Sequence, residues 1–175
     1  MLEKFKQSMK LEFDMIDLGL LHYFLGLEVV QSDSGIFVCQ KKYVQEVLDR
    51  FQMKNYNSVT TLVDKGVKLV KDLRGRSMNN KLYKQIVGSL MYLTATRPNI
   101  MHGVSLISRY MEHPKELHLQ AAKRILRYLC GIADFGLFYK KGDWTNLASF
   151  IDNDYAGDLD DRKSTSGYVL YWDLV

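Results

Sequence analysis

Leu2, Phe5, Met9 and Phe13 recur every three or four residues among lysines and glutamates, the spacing of an amphipathic helix with one apolar face. The period then shortens. In HYFLGLEVVQSDSGIFVCQ two β-rich runs flank the turn cluster Ser32-Asp33-Ser34-Gly35, predicting a hairpin of Tyr23 to Gln31 against Ile36 to Gln40. Helical spacing returns in KKYVQEVLDRFQM through Tyr43, Val44, Val47, Leu48 and Phe51.

From about Asn55 to Asn80 no period holds, and a segment rich in Lys, Asp, Asn, Ser and Thr predicts a long surface connection. Asn79 or Asn80 then suits the cap of a helix burying Leu82, Ile86, Val87, Leu90 and Leu93. Pro98 fits the first turn of another, with Ile100, Met101, Val104, Ile107, Ser108 and Met111 on its inward stripe. Pro114 opens a third, in which Ala122, Ile125, Leu126 and Leu129 face one way and Lys123, Arg124 and Arg127 another; Gly131 is its expected C-terminal cap. Beyond it GLFYK, LASFI and GYVLYW are short β-type runs, which leave an incomplete sheet unless they pair with something earlier.

Composition adds a core and a compartment. Close to half of the 175 residues are apolar, enough for one domain or two small ones. Cys39 and Cys130 have neither zinc nor redox spacing and fit free thiols in a reducing compartment. The charged N-terminal segment is unlike a secretory signal, and no apolar run has membrane length. The expected location is inside the cell, in nucleus or cytoplasm.

Charge is divided unevenly. Residues 1–141 hold 22 Lys and Arg against 13 Asp and Glu, a net of +9, whereas residues 142–175 hold 2 against 7, a net of −5. The basic body suits a polyanion-binding surface, with Lys123, Arg124 and Arg127 as its ridge and Arg97, Arg109, Lys140 and Lys141 in support; a solvated helix face would have the same pattern. The acidic tail places five aspartates between Asp152 and Asp161. Carboxylates suit Mg²⁺, but only Asp152 and one neighbour can converge within a single hairpin. Asp154, Asp158, Asp160 and Asp161 surround a glycine, where aspartate is favoured for bonding its own backbone. His113 and His118, flanking Pro114, lack a metal-ligand spacing and are expected at the surface or a helix start, while His22 and His102 are expected as packing or hydrogen-bonding residues. Fingerprints of hydrolases, P-loop NTPases and dehydrogenases are absent from the sequence.

Four blocks in order, DLGLLHYFLGLEVVQSDSGIFVCQKKYVQEVLDRFQM, YKQIVGSLMYLTATRPNI, AAKRILRYLCG and DNDYAGDLDDRKSTSGY, make the chain resemble the Pol polyprotein of Ty1/copia-type retrotransposons along nearly its whole length. The resemblance implies an α+β fold: a palm-end β-hairpin, a helical thumb and connection, and the first strands of an incomplete ribonuclease H-like sheet. Expected divisions are 1–54 for the end of the reverse transcriptase palm and the start of the thumb, 55–80 for a linker, 81–131 for thumb and connection, and 132–175 for the ribonuclease H-like part. Residues 22–40 resemble the palm hairpin that supports the primer end.

In the family, the stretch equivalent to IDNDYAGD opens with a ribonuclease H metal ligand, which implies that role for Asp152. The palm Tyr-Val-Asp-Asp hairpin lies upstream of the first helix, and the other ribonuclease H ligands lie past Val175. The chain is therefore expected to be a segment of a longer element, inactive alone as polymerase or ribonuclease. What remains is at most holding an RNA·DNA duplex through Lys123, Arg124, Arg127, Arg97 and Arg109. Mg²⁺ is the cofactor expected of the parent enzyme, and nucleic acid and the rest of a Pol polyprotein are the expected partners. A free-standing nucleic-acid-binding or protein-interaction module derived from a retroelement is the alternative. Asn153, Ile151, Asn99 and Ile132 depart from the family's usual Ser, Thr, Asp and Thr.

Overall fold

The computed structural model describes residues 2–16, 19–64, 66, 68–71, 74–142 and 147–172, with only the backbone for 2, 147, 148, 152–154, 169, 171 and 172. Helices and strands are mixed, as an α+β fold requires. Helix α1 (Leu2–Glu12) precedes β1 (Tyr23–Phe24), β2 (Leu27–Ser32) and β3 (Gly35–Cys39). Helix α2 (Lys41–Arg50) follows, then a long irregular strap, α3 (Asn80–Leu93), and a 3₁₀ turn at Pro98–Ile100 running into α4 (Met101–Ser108). Helix α5 (Glu116–Gly131) leads to β4 (Gly136–Lys140), β5 (Leu147–Asp154) and β6 (Thr165–Trp172).

The core lies among α2 to α5. Val44, Val47 and Leu48 meet Tyr83, Ile86, Val87, Leu90 and Leu93, and Val104, Ile107, Ala122, Ile125, Leu126 and Leu129 complete the cluster. These are nearly the positions that helical spacing selected; Leu82 and Met101 differ, being 37% and 45% exposed at the starts of α3 and α4. Asn79 is the cap of α3, its side chain accepting the Leu82 N–H at 3.1 Å. The apolar side of α1 is uncovered among the described residues, with Phe5 and Phe13 both exposed.

Strands β1 to β4 form one antiparallel sheet in sequence order. The run expected as one strand from Tyr23 is broken at Leu25 and Gly26, whose φ values of 46° and 78° make a two-residue hairpin turn. Tyr92, at the end of α3, fixes that turn: its hydroxyl donates to the Leu25 carbonyl, and its ring lies 3.5 Å from where a Gly26 Cβ would sit. Tyr43 of α2 meets the Tyr92 ring edge-on at 5.1 Å.

GLFYK, grouped in the sequence with residues 132–175, is hydrogen-bonded as β4 to β3. The physical reason is a repeated Gly-x-Phe. Phe37 and Phe138 are paired across the two strands, and each ring lies over the other strand's glycine. A Cβ on Gly136 would stand 2.7 Å from the Phe37 ring, and one on Gly35 would stand 2.9 Å from the Phe138 ring. Strands β5 and β6 make a separate two-stranded sheet, in register from Leu147↔Trp172 to Asp154↔Thr165.

Two smaller expectations change. Gly131 is the last residue of α5, and Ile132 is the cap. Glycine is favoured at 131 by a close crossing, since its Cβ would meet Ser58 of the strap at 3.1 Å. His118 is at a helix start as expected, yet it is fully buried.

Candidate nucleic-acid interface and acidic turn

Helix α5 directs Lys123, Arg124 and Arg127 away from its apolar stripe, but the three are not equivalent. Lys123 is exposed, and among the described residues it makes no ion pair. Arg124 is spent on the strap: Nη1 donates to Asp64 at 2.9 Å, Nη2 to the Thr61 hydroxyl at 2.8 Å and Nε to the Thr61 carbonyl at 3.2 Å. Arg127 donates Nε–H to the Asn57 carbonyl at 2.9 Å. The expected surface linker is thus a strap laid along α4 and α5, because the helix supplies the donors its irregular backbone needs.

Further along, the strap is held more deeply. Tyr110 donates to the Leu69 carbonyl at 2.9 Å, and His118, stacked on Tyr110 at 3.9 Å, bonds the Val70 carbonyl at 2.8 Å. The His118 Nδ1 accepts the Lys115 N–H at 3.0 Å, so the neutral ring carries its proton on Nε2 toward Val70. Burial first, then the charges of Asp158 and Asp160, push the Tyr110 pKa up to about 12. Backbone bonds from Met78 to Pro114 and from Glu116 to Arg76 close the far end.

Arg97, expected in a cationic surface, is fully buried. Its two terminal nitrogens donate to the Ile132 and Ala133 carbonyls at 2.6 and 2.8 Å, tying the end of α5 to the start of the 3₁₀ turn. Burial lowers its pKa, opposed by the nearby Cys39 and Asp134. Beside it Thr96 donates to Gln40 at 2.8 Å, so the same knot reaches the start of α2. Arg97 and Thr96 together therefore join three elements, and Arg97 is not a surface contact for phosphate.

Arg109 is engaged too, donating to Asp158 at 2.8 Å and to the Thr165 hydroxyl at 2.5 Å. Asp158 also accepts the N–H groups of Asp160 and Asp161, at 2.7 and 3.2 Å. Burial pushes the Asp158 carboxyl up, but the two N–H groups and Arg109 outweigh it and hold the pKa below the ordinary carboxylate value. Asp160 accepts the Lys71 N–H at 2.6 Å, and Asp161 pairs with Lys163 at 2.7 Å. These carboxylates shape the turn and dock it on α4 and the strap. They do not fit a Mg²⁺ site, since their oxygens accept from N–H groups and cationic side chains, and no group of three or more His, Cys, Asp or Glu among the described residues is suited to a metal. Asp152 is on β5 opposite Gly167, and its side chain lies outside the described residues.

Sequence reasoning missed Asn57, Thr61 and Asp64 as partners of the ridge. A signal was present in two helix glycines: the strap crosses α4 where a Gly103 Cβ would stand 3.6 Å from Leu62, and crosses α5 at Gly131. Between strap and helices is a cleft of about 360 Å³, with Tyr56, Leu62, Leu69, Ile107 and Ile125 in its wall.

A strap-bound helical core beside a small antiparallel sheet is the setting for the comparisons with known proteins. Residues 1–65 match the family model described as Reverse transcriptase (RNA-dependent DNA polymerase). The chain is 42% identical over 91% of its length to the retrovirus-related Pol polyprotein from transposon RE1 of Arabidopsis thaliana, and 38% identical over 97% to that from transposon TNT 1-94 of Nicotiana tabacum. It is also 34% identical, over 91% of its length and 66% of the relative's, to an uncharacterized mitochondrial protein of Arabidopsis thaliana. The chain belongs to the reverse transcriptase family of copia-type retrotransposon Pol polyproteins. It spans 11% of the RE1 polyprotein and 13% of the TNT 1-94 polyprotein. No solved structure matches it. No described helix is long and apolar enough to cross a membrane.

Proposed function

We propose that these 175 residues hold an RNA·DNA duplex for a reverse transcriptase and, by themselves, neither extend a primer nor cleave a hybrid. In this reading the β1–β3 hairpin is the palm element under the primer end, and α2 to α5 are thumb and connection. Strands β5 and β6 begin a ribonuclease H-like sheet in which Asp152 is a ligand for Mg²⁺ only within a longer polyprotein. The observation that carries the reading is the single α5 face bearing Lys123, Arg124 and Arg127, in a chain of reverse transcriptase family. Cations on one face follow successive phosphates and give affinity with little sequence choice.

The test is binding of the chain to a labelled RNA·DNA hybrid at several salt concentrations. Lys123→Glu is the cleanest variant, because Arg124 and Arg127 also support the strap. Affinity should fall steeply with salt, and K123E should weaken binding and flatten the slope by about 1. Equal binding by wild type and K123E, or a flat salt response, would overturn the reading. A free-standing role has its own support in the mitochondrial relative, of which this chain covers 66%. Expression of a stable 175-residue product, located in the cell by an antibody, would favour that second reading.

A further inference from the structure

We infer that the first half of the strap, residues 57–64, is a displaceable cover that competes with nucleic acid for the α5 cations. The inference rests on the duplex-holding reading and adds its regulation. Three features support it. The groups that would meet phosphates are the ones the strap occupies: three guanidinium nitrogens of Arg124 and the Nε of Arg127. Asp64 in particular sets a carboxylate where a phosphate oxygen would bind, 2.9 Å from Arg124, and the Asp64 side chain is 59% exposed. Charge-assisted bonds of this kind are exchanged readily for others of like geometry when water has access.

The two halves of the strap also differ in how they are held. Leu69, Val70, Arg76 and Met78 are fixed by Tyr110, the buried His118 and backbone bonds to the 114–116 segment. Residues 57–64 rest on the two arginines, on the crossings at Gly103 and Gly131 and on Leu62 at the edge of the core, and the cleft of about 360 Å³ lies beneath them. Solvent-exposed bonds and a single apolar anchor mark a segment that opens at small cost, while its anchored end keeps it close enough to return. Displacement would free all three Arg124 nitrogens from the strap and its carboxylate, and the Nε of Arg127, and so widen the cationic face that Lys123 begins. Binding would therefore be weaker than the sequence suggests until the strap moves.

Asp64→Asn tests this, compared with wild type, K123E and the double variant D64N/R124A in hybrid binding across salt. D64N should bind about threefold or more tightly and steepen the salt slope by about 1, and R124A should remove that gain. Added protease should cleave wild type within residues 57–64 faster, not slower, when the chain is saturated with hybrid. If D64N binds no better than wild type while K123E still weakens binding, the strap is only structural and the inference fails with the duplex reading intact. If K123E matches wild type, both fail. Thr61→Ala, which removes one acceptor for Arg124 without altering charge, is the second variant should D64N not fold; unchanged affinity in it, together with slower cleavage of the strap in the presence of hybrid, would also overturn the inference.

Discussion

The helical core and the β5–β6 hairpin are stabilised by different means. Helices α2 to α5 share a continuous apolar interior in which Val44, Leu90, Leu93, Leu126 and Leu129 are all fully buried. The hairpin leaves Phe150, Ile151, Tyr168 and Leu170 exposed and is tied to α4 through Arg109, Asp158 and Thr165. An apolar interior has no charge to titrate or to screen, whereas a polar clasp depends on both pH and ionic strength. One region should consequently unfold only with the whole domain, and the other should open alone.

Substitutions should separate the two, beginning with the largest effect. Leu126→Ala should cost about 3 kcal/mol and lower the melting temperature of the helical unit measured by circular dichroism. Arg97→Met should come next, at about 2 kcal/mol, because the Ile132 and Ala133 carbonyls lose a charged donor. Gly136→Ala should cost about 1 to 2 kcal/mol and increase amide exchange in β3 and β4 first, since the added methyl meets the Val38 carbonyl at 2.5 Å.

Asp158→Asn should cost about 1 kcal/mol and increase exchange in β5 and β6 while the helices keep their protection. Equal loss of protection in both regions would break the comparison. Acid should act similarly on the clasp. The folded Asp158 pKa is depressed, so its contribution is complete above the ordinary carboxylate value and is lost as pH falls through the folded one. Exchange-protected amides at Thr165 to Tyr168, followed on lowering the pH, should be lost before the helical signal.

The sequence revealed the helical core well because helices bury residues at fixed local spacing, and Val47, Ile86, Leu90 and Leu126 announce themselves within one or two turns. It revealed less where a residue's partner is remote. Arg97 and Arg124 look alike as letters, yet one lies under carbonyls from the end of α5 and the other under a strap more than fifty residues earlier. Positive charge was legible, but its availability was not, since that depends on which acceptors the fold carries past it. The acidic turn is the converse: Asp158 beside a glycine was readable as a local backbone ligand, and its bonds to Asp160 and Asp161 are of that kind.

The crossed Gly-x-Phe pairs of β3 and β4 have a bearing on how the chain is made. A ribosome releases β3 long before β4, with about a hundred residues of helices and strap between them. Until then β3 has an open edge, and Phe37 lacks the glycine over which its ring comes to rest. The helices are local and can assemble first, bringing residues 131–136 toward the waiting strand and shortening the effective loop that β4 must close. By grasping Ile132 and Ala133, Arg97 holds the chain that leads into β4, which limits how far β4 must search for that edge. Synthesis halted between α5 and β4 would leave a helical body with an adhesive sheet edge, a natural substrate for chaperones.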